Sequence, residues 1–347
     1  MLGSGVSQRR SLAAAACGRL TGMAEGEQLL DGREVPLGGV RGMSVTRWLP
    51  HRELPTVGAW CFLDRIGPQR VDMRVQPHPH TALQTVTWPL VGEILHRDSV
   101  GSDVVVRPGE LNLMTAGRGV SHSEDSLGEQ PLMHAVQLWV VLPPEQDDDE
   151  PRFEQQRELP VLEVPGSRGA QGSPGAGARA TVLVGSLGEG SGAAASPARV
   201  APGLVGADVV LDPGADVEVP VDPAHEHALL TLDTDGAGAG PPALRYLPPG
   251  ASSLRLRHAD GARQLLLGGT PSTDDLVMFW NFIGRTHDDV ERARADWEDP
   301  DARAERFGAV PGWTAEQRIP SPPLPPVRLT PRRRRARLVG APPPAFS

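Results

Sequence analysis

Lysine is absent from this sequence, and all 34 basic residues are arginine. That absence excludes a lysine Schiff base and a lysine phosphate clamp. Cysteine is scarce, with only Cys17 and Cys61. Two thiols exclude a disulfide scaffold and a thiolate-rich zinc site, and they suit a reducing compartment. No apolar run approaches the roughly 20 residues that carry a helix across a bilayer. A soluble, cytoplasmic protein with no membrane partner is therefore expected.

Charge of one sign is also short. The net charge is −9, although residues 1–22 carry three arginines and no acid, and residues 328–347 carry six arginines and no acid. The stretch between these ends is thus more acidic than the whole chain. An acidic body repels polyphosphate, so direct nucleic-acid binding by the folded core is not expected. What is abundant is glycine and proline, 40 and 36 residues, an imprint of GC-rich coding together with the absence of lysine.

A chain of 347 residues has room for two domains. Residues 1–22 hold twin arginines and a short alanine run, too brief for the apolar core of an export signal. They are expected to be a disordered leader, with Met23 the more natural first residue. From about residue 38 to 142, "ALQTVTWPL", "GEILHRD", "DVVVRPG", "ELNLMTA" and "MHAVQLWVVL" alternate with Gly, Pro, Asp and Ser clusters about every ten residues. Short, evenly spaced β-formers without a helical period predict an antiparallel sandwich or barrel. In the last segment Ala135, Gln137, Trp139 and Val141 fall on one face, and His134, Val136, Leu138 and Val140 on the other.

A charged connector over 145–159 and a Gly/Ala/Ser loop over 166–180 lead to a second series of strands, which suggests two related modules. "TPSTDDLVMFWNFIGRTHDDVERARADWEDP" then changes style. Thr286 and Asp289 make a near capping box, and Val290, Ala293 and Trp297 recur at helical spacing as far as Pro300. The Arg run over 332–337 in a Pro-rich terminus reads as a solvated tail, or as a contact for an acidic partner or nucleic acid.

The chemistry-bearing pattern is "HPH", with His78 and His80 at i and i+2, which share one face of a strand. An H-x-H alone is weak evidence, since "AHEHALL" repeats it with His225 and His227. Context strengthens the first copy. "TAGRGVSHSED" places His122 and Glu124 at i and i+2 behind a Gly-rich bend. Two such strands facing each other would offer three imidazoles and one carboxylate, a sulfur-free set with open positions that suits Fe(II) and other divalent transition metals. The alternative is four polar residues at a barrel mouth with no ion. His96 and His134 are candidates for supporting roles beside the site or for ordinary hydrogen-bonded histidines, with Arg97–Asp98 a structural pair beside His96. Trp88, Met114 and Trp139 are apolar candidates for a pocket lining or for plain core.

Taken together, "HPHTALQTVTW…GEILHRDSVGS…RPGELNLMTAGRGVSHSE…QLWVVLP" and the later "MFWNFIGRTHDDVERARADWE" resemble the pirin family of the cupin superfamily over about residues 38–320. The resemblance implies an all-β bicupin, two antiparallel jelly-roll barrels in tandem with a C-terminal helix. Together with the compositional reading it gives the expected organisation: a leader over 1–22, a metal-binding N-terminal cupin over 23–160 and a linker over 161–180. A C-terminal cupin over 181–320, with a helix at about 286–299, and a disordered tail over 321–347 complete the organisation. It further implies one divalent metal, usually iron, with Mn, Ni, Cu or Zn as alternatives, held by His78, His80, His122 and Glu124, and a metal-free second barrel.

The implied activity is quercetin 2,3-dioxygenase-like, on a small hydroxylated aromatic and dioxygen, with Glu124 also the proton acceptor. A metal- and redox-dependent regulator that binds a transcription factor or metabolic enzyme is the alternative function, and a metal-free structural bicupin a third. Two positions depart from the family pattern: Ala82 where glycine is usual, and Gln84 where many members carry glutamate.

Overall fold

The computed structural model describes residues 26–37, 43–167, 175–232 and 242–332. The expected leader, the core of the 166–180 loop and the last fifteen residues, with most of the Arg run, lie outside that set. The described residues form four antiparallel sheets. In the first module a seven-stranded sheet runs in the order 152–156, 111–115, 83–91, 132–141, 60–70, 44–49, 33–36. A four-stranded sheet, in the order 74–80, 120–126, 94–98, 103–106, forms its second layer. The second module is a ten-stranded sheet curled on itself around its own apolar interior, which includes Ala180, Val182, Val209, Val217 and Leu266.

Alternation explains how the 132–141 strand serves two layers. Val136, Leu138 and Val140 enter the largest core cluster, whereas Trp139 and Val141 turn to the opposite face with Phe62 and Leu83. That largest cluster lies between the modules and draws on both, with Trp48, Trp60 and Trp88 meeting Leu183, Leu204, Ala228 and Leu265. Trp60 is fully buried, and its indole N–H faces the carbonyls of Val205 and Gly268 at 3.1 and 3.2 Å. Trp88 donates to Asp208 at 3.0 Å and belongs to this seam, apart from the residues that line the cavity beside the histidines. Glu226 is also fully buried and accepts from the Gly58 amide and from the Tyr246 hydroxyl.

The chain crosses between modules at both ends. Gln28–Leu30 pairs with Leu244–Leu247, adding an edge strand to the second sheet although it precedes the first module. The described parts of the segment expected to be a linker are in strands: Val161–Gly166 pairs with Gly175–Leu187. Small residues there do not preclude a strand when a neighbouring edge needs pairing.

The helix begins as its sequence indicates, with Thr286 capping Asp289 and Asp289 reciprocating in a full capping box. It spans His287–Glu298 (α1), and Val290, Ala293 and Trp297 form its buried stripe. Pro300 ends it but also starts a second helix, Pro300–Arg306 (α2), with Asp299 as N-cap. Proline is tolerated at the first helical position because its missing N–H would have no intrahelical partner there. The first part of the expected tail is docked rather than free. Ser321 bonds to Glu298 through both N and Oγ at 2.7 Å, and the Leu329 amide donates to His287 Nδ1 at 3.0 Å. Among the described residues no helix is long and apolar enough to cross a membrane.

Candidate metal centre

His78 and His80 end the strand Arg74–His80, which pairs antiparallel with Val120–Ser126. His122 stands directly opposite His78, but Glu124 stands opposite Val75, because the ladder slips by one residue between them. Pro77 lies in this slip and has no N–H to continue the ladder. Such bulges re-aim side chains next to functional sites. The bend before Val120 depends on Gly117, whose φ is +49° and where a Cβ would fall 2.0 Å from the Asp149 carbonyl.

The three imidazoles converge. Ring centroids lie 4.3 Å apart for His78 and His122, 5.0 Å for His80 and His122, and 5.1 Å for His78 and His80. One donor nitrogen from each falls within 4.8 Å of the others, and His80 Nε2 faces His122 Nε2 at 3.1 Å. Burial, followed by the mutual repulsion of the rings, holds His80 and His122 well below the usual histidine range. Burial likewise brings His78 down to about 4. Its Nδ1 lies 2.9 Å from the Gln76 carbonyl. A carbonyl can only accept, so Nδ1 carries the hydrogen and the Nε2 lone pair is left for the cavity.

Glu124 lines the same cavity, yet its carboxylate gathers with His122 and His96, within 4.8 Å, and not with His78 and His80 as a single group. Burial raises its pKa above the ordinary carboxylate range, and the Thr87 hydroxyl lies 3.1 Å from Oε1.

The cavity, about 290 Å³, opens between the two sheets of the first module. One wall is aromatic: Phe62 stacks on Trp139 at 3.9 Å, and Trp139 meets His80 edge-on at 5.0 Å. Arg47, in a bidentate pair with Asp64 at 2.7 Å for each contact, lies 4.2 Å over the Phe62 ring. The rim comes from far along the chain, from Trp280, Asn281 and Ile319. Trp280 has φ +53°, a conformation a bulky residue adopts at a cost. These three residues were not foreseen. The aromatic-rich "VMFWNF" was visible, but nothing local showed that it folds back over the first module.

Other expected positions separate from the cavity. Met114 packs with Ala116, Val120 and Phe153. Burial, and after it the neighbouring Arg65 and Arg263, lowers the pKa of His134 to about 4. Asp98 partners His96, at 2.9 Å, and Arg97 turns instead to Asp103 and Asp125. Ala82 does occupy a left-handed conformation, φ +55°, and Gln84 donates to Thr115 and to the Arg199 carbonyl. In the second module His225 and His227 have ring centroids 6.2 Å apart, with the Asp222 carboxylate 3.7 Å from His225.

Two curled antiparallel modules in tandem, the first holding a buried histidine cluster at its mouth, define a bicupin. Comparison with known proteins places the chain within that class. The family described as Pirin matches residues 42–140, and its C-terminal cupin domain matches residues 206–302. A Pseudomonas aeruginosa protein named "Putative quercetin 2,3-dioxygenase" is 38% identical over 306 residues, covering 86% of this chain and 90% of its own. Human pirin is 28% identical over 268 residues, covering 74% and 87%. The crystal structure of a quercetin 2,3-dioxygenase from Acinetobacter baumannii superposes with a TM-score of 0.75 at 34% identity, covering 87% of this chain and 97% of that one. The chain belongs to the pirin family.

A divalent metal fits the residues present. Three uncharged, desolvated imidazoles that aim nitrogen lone pairs at one point have little to gain from each other and much to gain from a cation. The set is nitrogen and oxygen only, with the cavity on its open side.

Proposed function

We propose that His78, His80, His122 and Glu124 hold one divalent transition metal, Fe(II) first among candidates. The protein then acts as a quercetin 2,3-dioxygenase-type enzyme on a hydroxylated aromatic, opening a flavonol-like ring with dioxygen and releasing carbon monoxide. The observation that carries this reading is the convergence of three imidazoles beside an aromatic-walled cavity. The names of the Pseudomonas and Acinetobacter relatives support the reaction class. Manganese, nickel, copper and zinc accept the same donors, so metal supply rather than ligand type selects among them.

When bound, such an ion supplies Lewis acidity toward a phenolic oxygen and one-electron chemistry with dioxygen. The protein does the rest. Trp139 and Trp280 offer apolar surface against which a planar ring packs and which excludes water, and Phe62 backs Trp139 with its other face under the Arg47 guanidinium. Glu124, its basicity raised by burial, takes the proton of the substrate hydroxyl at a carboxylate oxygen. The Thr87 hydroxyl steadies the other lone pairs of that carboxylate.

Aerobic incubation of the iron-loaded protein with quercetin tests this. Depletion of the flavonol with release of carbon monoxide is expected, falling at least 100-fold in His122→Ala, in line with loss of one electrostatic anchor of the transition state. Equal depletion by the variant would overturn the reading.

A further inference from the structure

The strand that carries His122 and Glu124 is flanked on one side by the other two histidines and on the other side by Ile94–Asp98. Across that second ladder His122 pairs with Asp98, and Glu124 with His96. Both flanking side chains are buried, with His96 1% exposed and Asp98 fully enclosed. The His96 ring is stacked on Phe153 at 4.6 Å. Asp98 Oδ1 accepts from the amides of Val100 at 3.0 Å and Ser102 at 2.9 Å, and Oδ2 lies 2.9 Å from His96 Nε2. The other nitrogen of His96, Nδ1, lies 3.4 Å from His122 Nδ1.

With His96 neutral, hydrogen positions along this chain follow from the type of group at its end. An ionised carboxylate only accepts, so His96 Nε2 carries a hydrogen and donates it to Asp98. A neutral His96 then has its lone pair on Nδ1, where it accepts from His122. His122 in turn carries its hydrogen on Nδ1, and its Nε2 lone pair faces His80 and the cavity. His78 reaches the same tautomer more simply, through the Gln76 carbonyl.

We propose that Asp98 and His96 are positioning residues that lock His122 in the Nδ1–H tautomer and so present its Nε2 to the ion. This rests on the metal reading above and adds to it. A partner on the second nitrogen of a ligating histidine fixes ring orientation and raises basicity, and losing it costs about 10–100-fold in metal affinity. Here the partner is an imidazole held by a carboxylate, which leaves His96 no free nitrogen with which to ligate.

Asp98→Asn is the sharpest variant. Its Oδ1 can still accept from Val100 and Ser102, but its amide donates to His96 Nε2. The hydrogen of His96 is thereby moved to Nδ1, where it opposes the hydrogen of His122. Cobalt(II) titration of the full chain, followed by visible absorption against a competing chelator, should show affinity about 10–100-fold weaker than wild type. Long-range ¹⁵N–¹H spectra of the metal-free proteins should show the His122 hydrogen on Nδ1 in the wild type and displaced in the variant.

His96→Asn, with its amide oxygen placed where Nδ1 now stands, should restore most of the affinity that His96→Leu loses. Thermal unfolding of each variant identifies any that has merely failed to fold, and Asp98→Asn and His96→Asn remain informative if His96→Leu does fail. Wild-type affinity in folded Asp98→Asn, with an unmoved His122 hydrogen, would overturn the proposal alone. So would two cobalt ions per chain with one lost in His96→Leu, which would make His96 a ligand. No cobalt binding by wild type, or binding undiminished in His78→Ala, would overturn the metal reading and this proposal with it.

Discussion

At the scale of single residues, uncharged buried histidines recur beyond the cluster. His134 and His227 are nearly or fully enclosed, and burial brings each to about 4. The neighbouring arginines 65 and 263 add to the effect at His134, and His225 adds to it at His227. Neither ring nitrogen of His227 has a hydrogen-bond partner among the described residues. Because the folded values lie below the unfolded value near 6.5, the unfolded chain takes up protons first as pH falls. Stability from these groups is therefore complete above pH 6.5 and drains away toward pH 4. Urea unfolding in the presence of a chelator should show stability declining between pH 6.5 and 5. His134→Gln and His227→Gln should each flatten that slope by on the order of 1 kcal/mol per pH unit. Slopes identical to wild type would mean that the two rings are solvated.

The histidine cluster was legible at this scale because strand residues two apart share a face. The same rule, applied to "LHRD", pairs His96 with Asp98; reading adjacent charges as partners produced Arg97–Asp98 instead. Glu124 was legible as a neighbour of the cluster, but its offset was not, since a ladder slip at Pro77 has no signature in spacing.

Among elements, strand content and the start of α1 followed directly from alternation, turn residues and the Thr286–Asp289 box. The behaviour of residues 307–332 did not, because a Pro-rich segment without periodicity reads as loose until a partner is known. Its partner is the end of α1. Glu298 accepts from Ser321 N, Ser321 Oγ and Arg318, and Trp297 Nε1 donates to the Ile319 carbonyl at 2.9 Å. Ile319 N in turn donates to the Pro77 carbonyl, immediately before His78. Glu298→Ala should cost about 1–3 kcal/mol for charge-assisted bonds. Hydrogen exchange should rise across 318–332 while the barrel strands stay protected. Uniform exchange in wild type and variant would show that the segment is held by other contacts.

For the whole molecule, the sequence indicated two β-modules but not how they are bound together. The crossing of Gln28–Leu30 into the second sheet and the core cluster fed by both sides are long-range matters that local pattern does not encode. Trp60 is the centre of that seam: Gly206 has no room for a Cβ, which would meet the indole at 2.8 Å. Trp60→Ala should cost about 3–5 kcal/mol. Since the cluster is shared, calorimetry should show one lowered transition for both modules rather than two. A variant that melts one barrel and leaves the other at its original temperature would refute a common core.

The distance along the chain from Glu124 to Ile319 has a consequence for biosynthesis. At about 5–20 residues per second, a ribosome needs roughly ten to forty seconds between delivering the last of the imidazole and carboxylate groups and delivering the segment that roofs them. Since the two modules share a core, the floor of the pocket waits for that later chain as well, so floor and lintel are completed together rather than in turn.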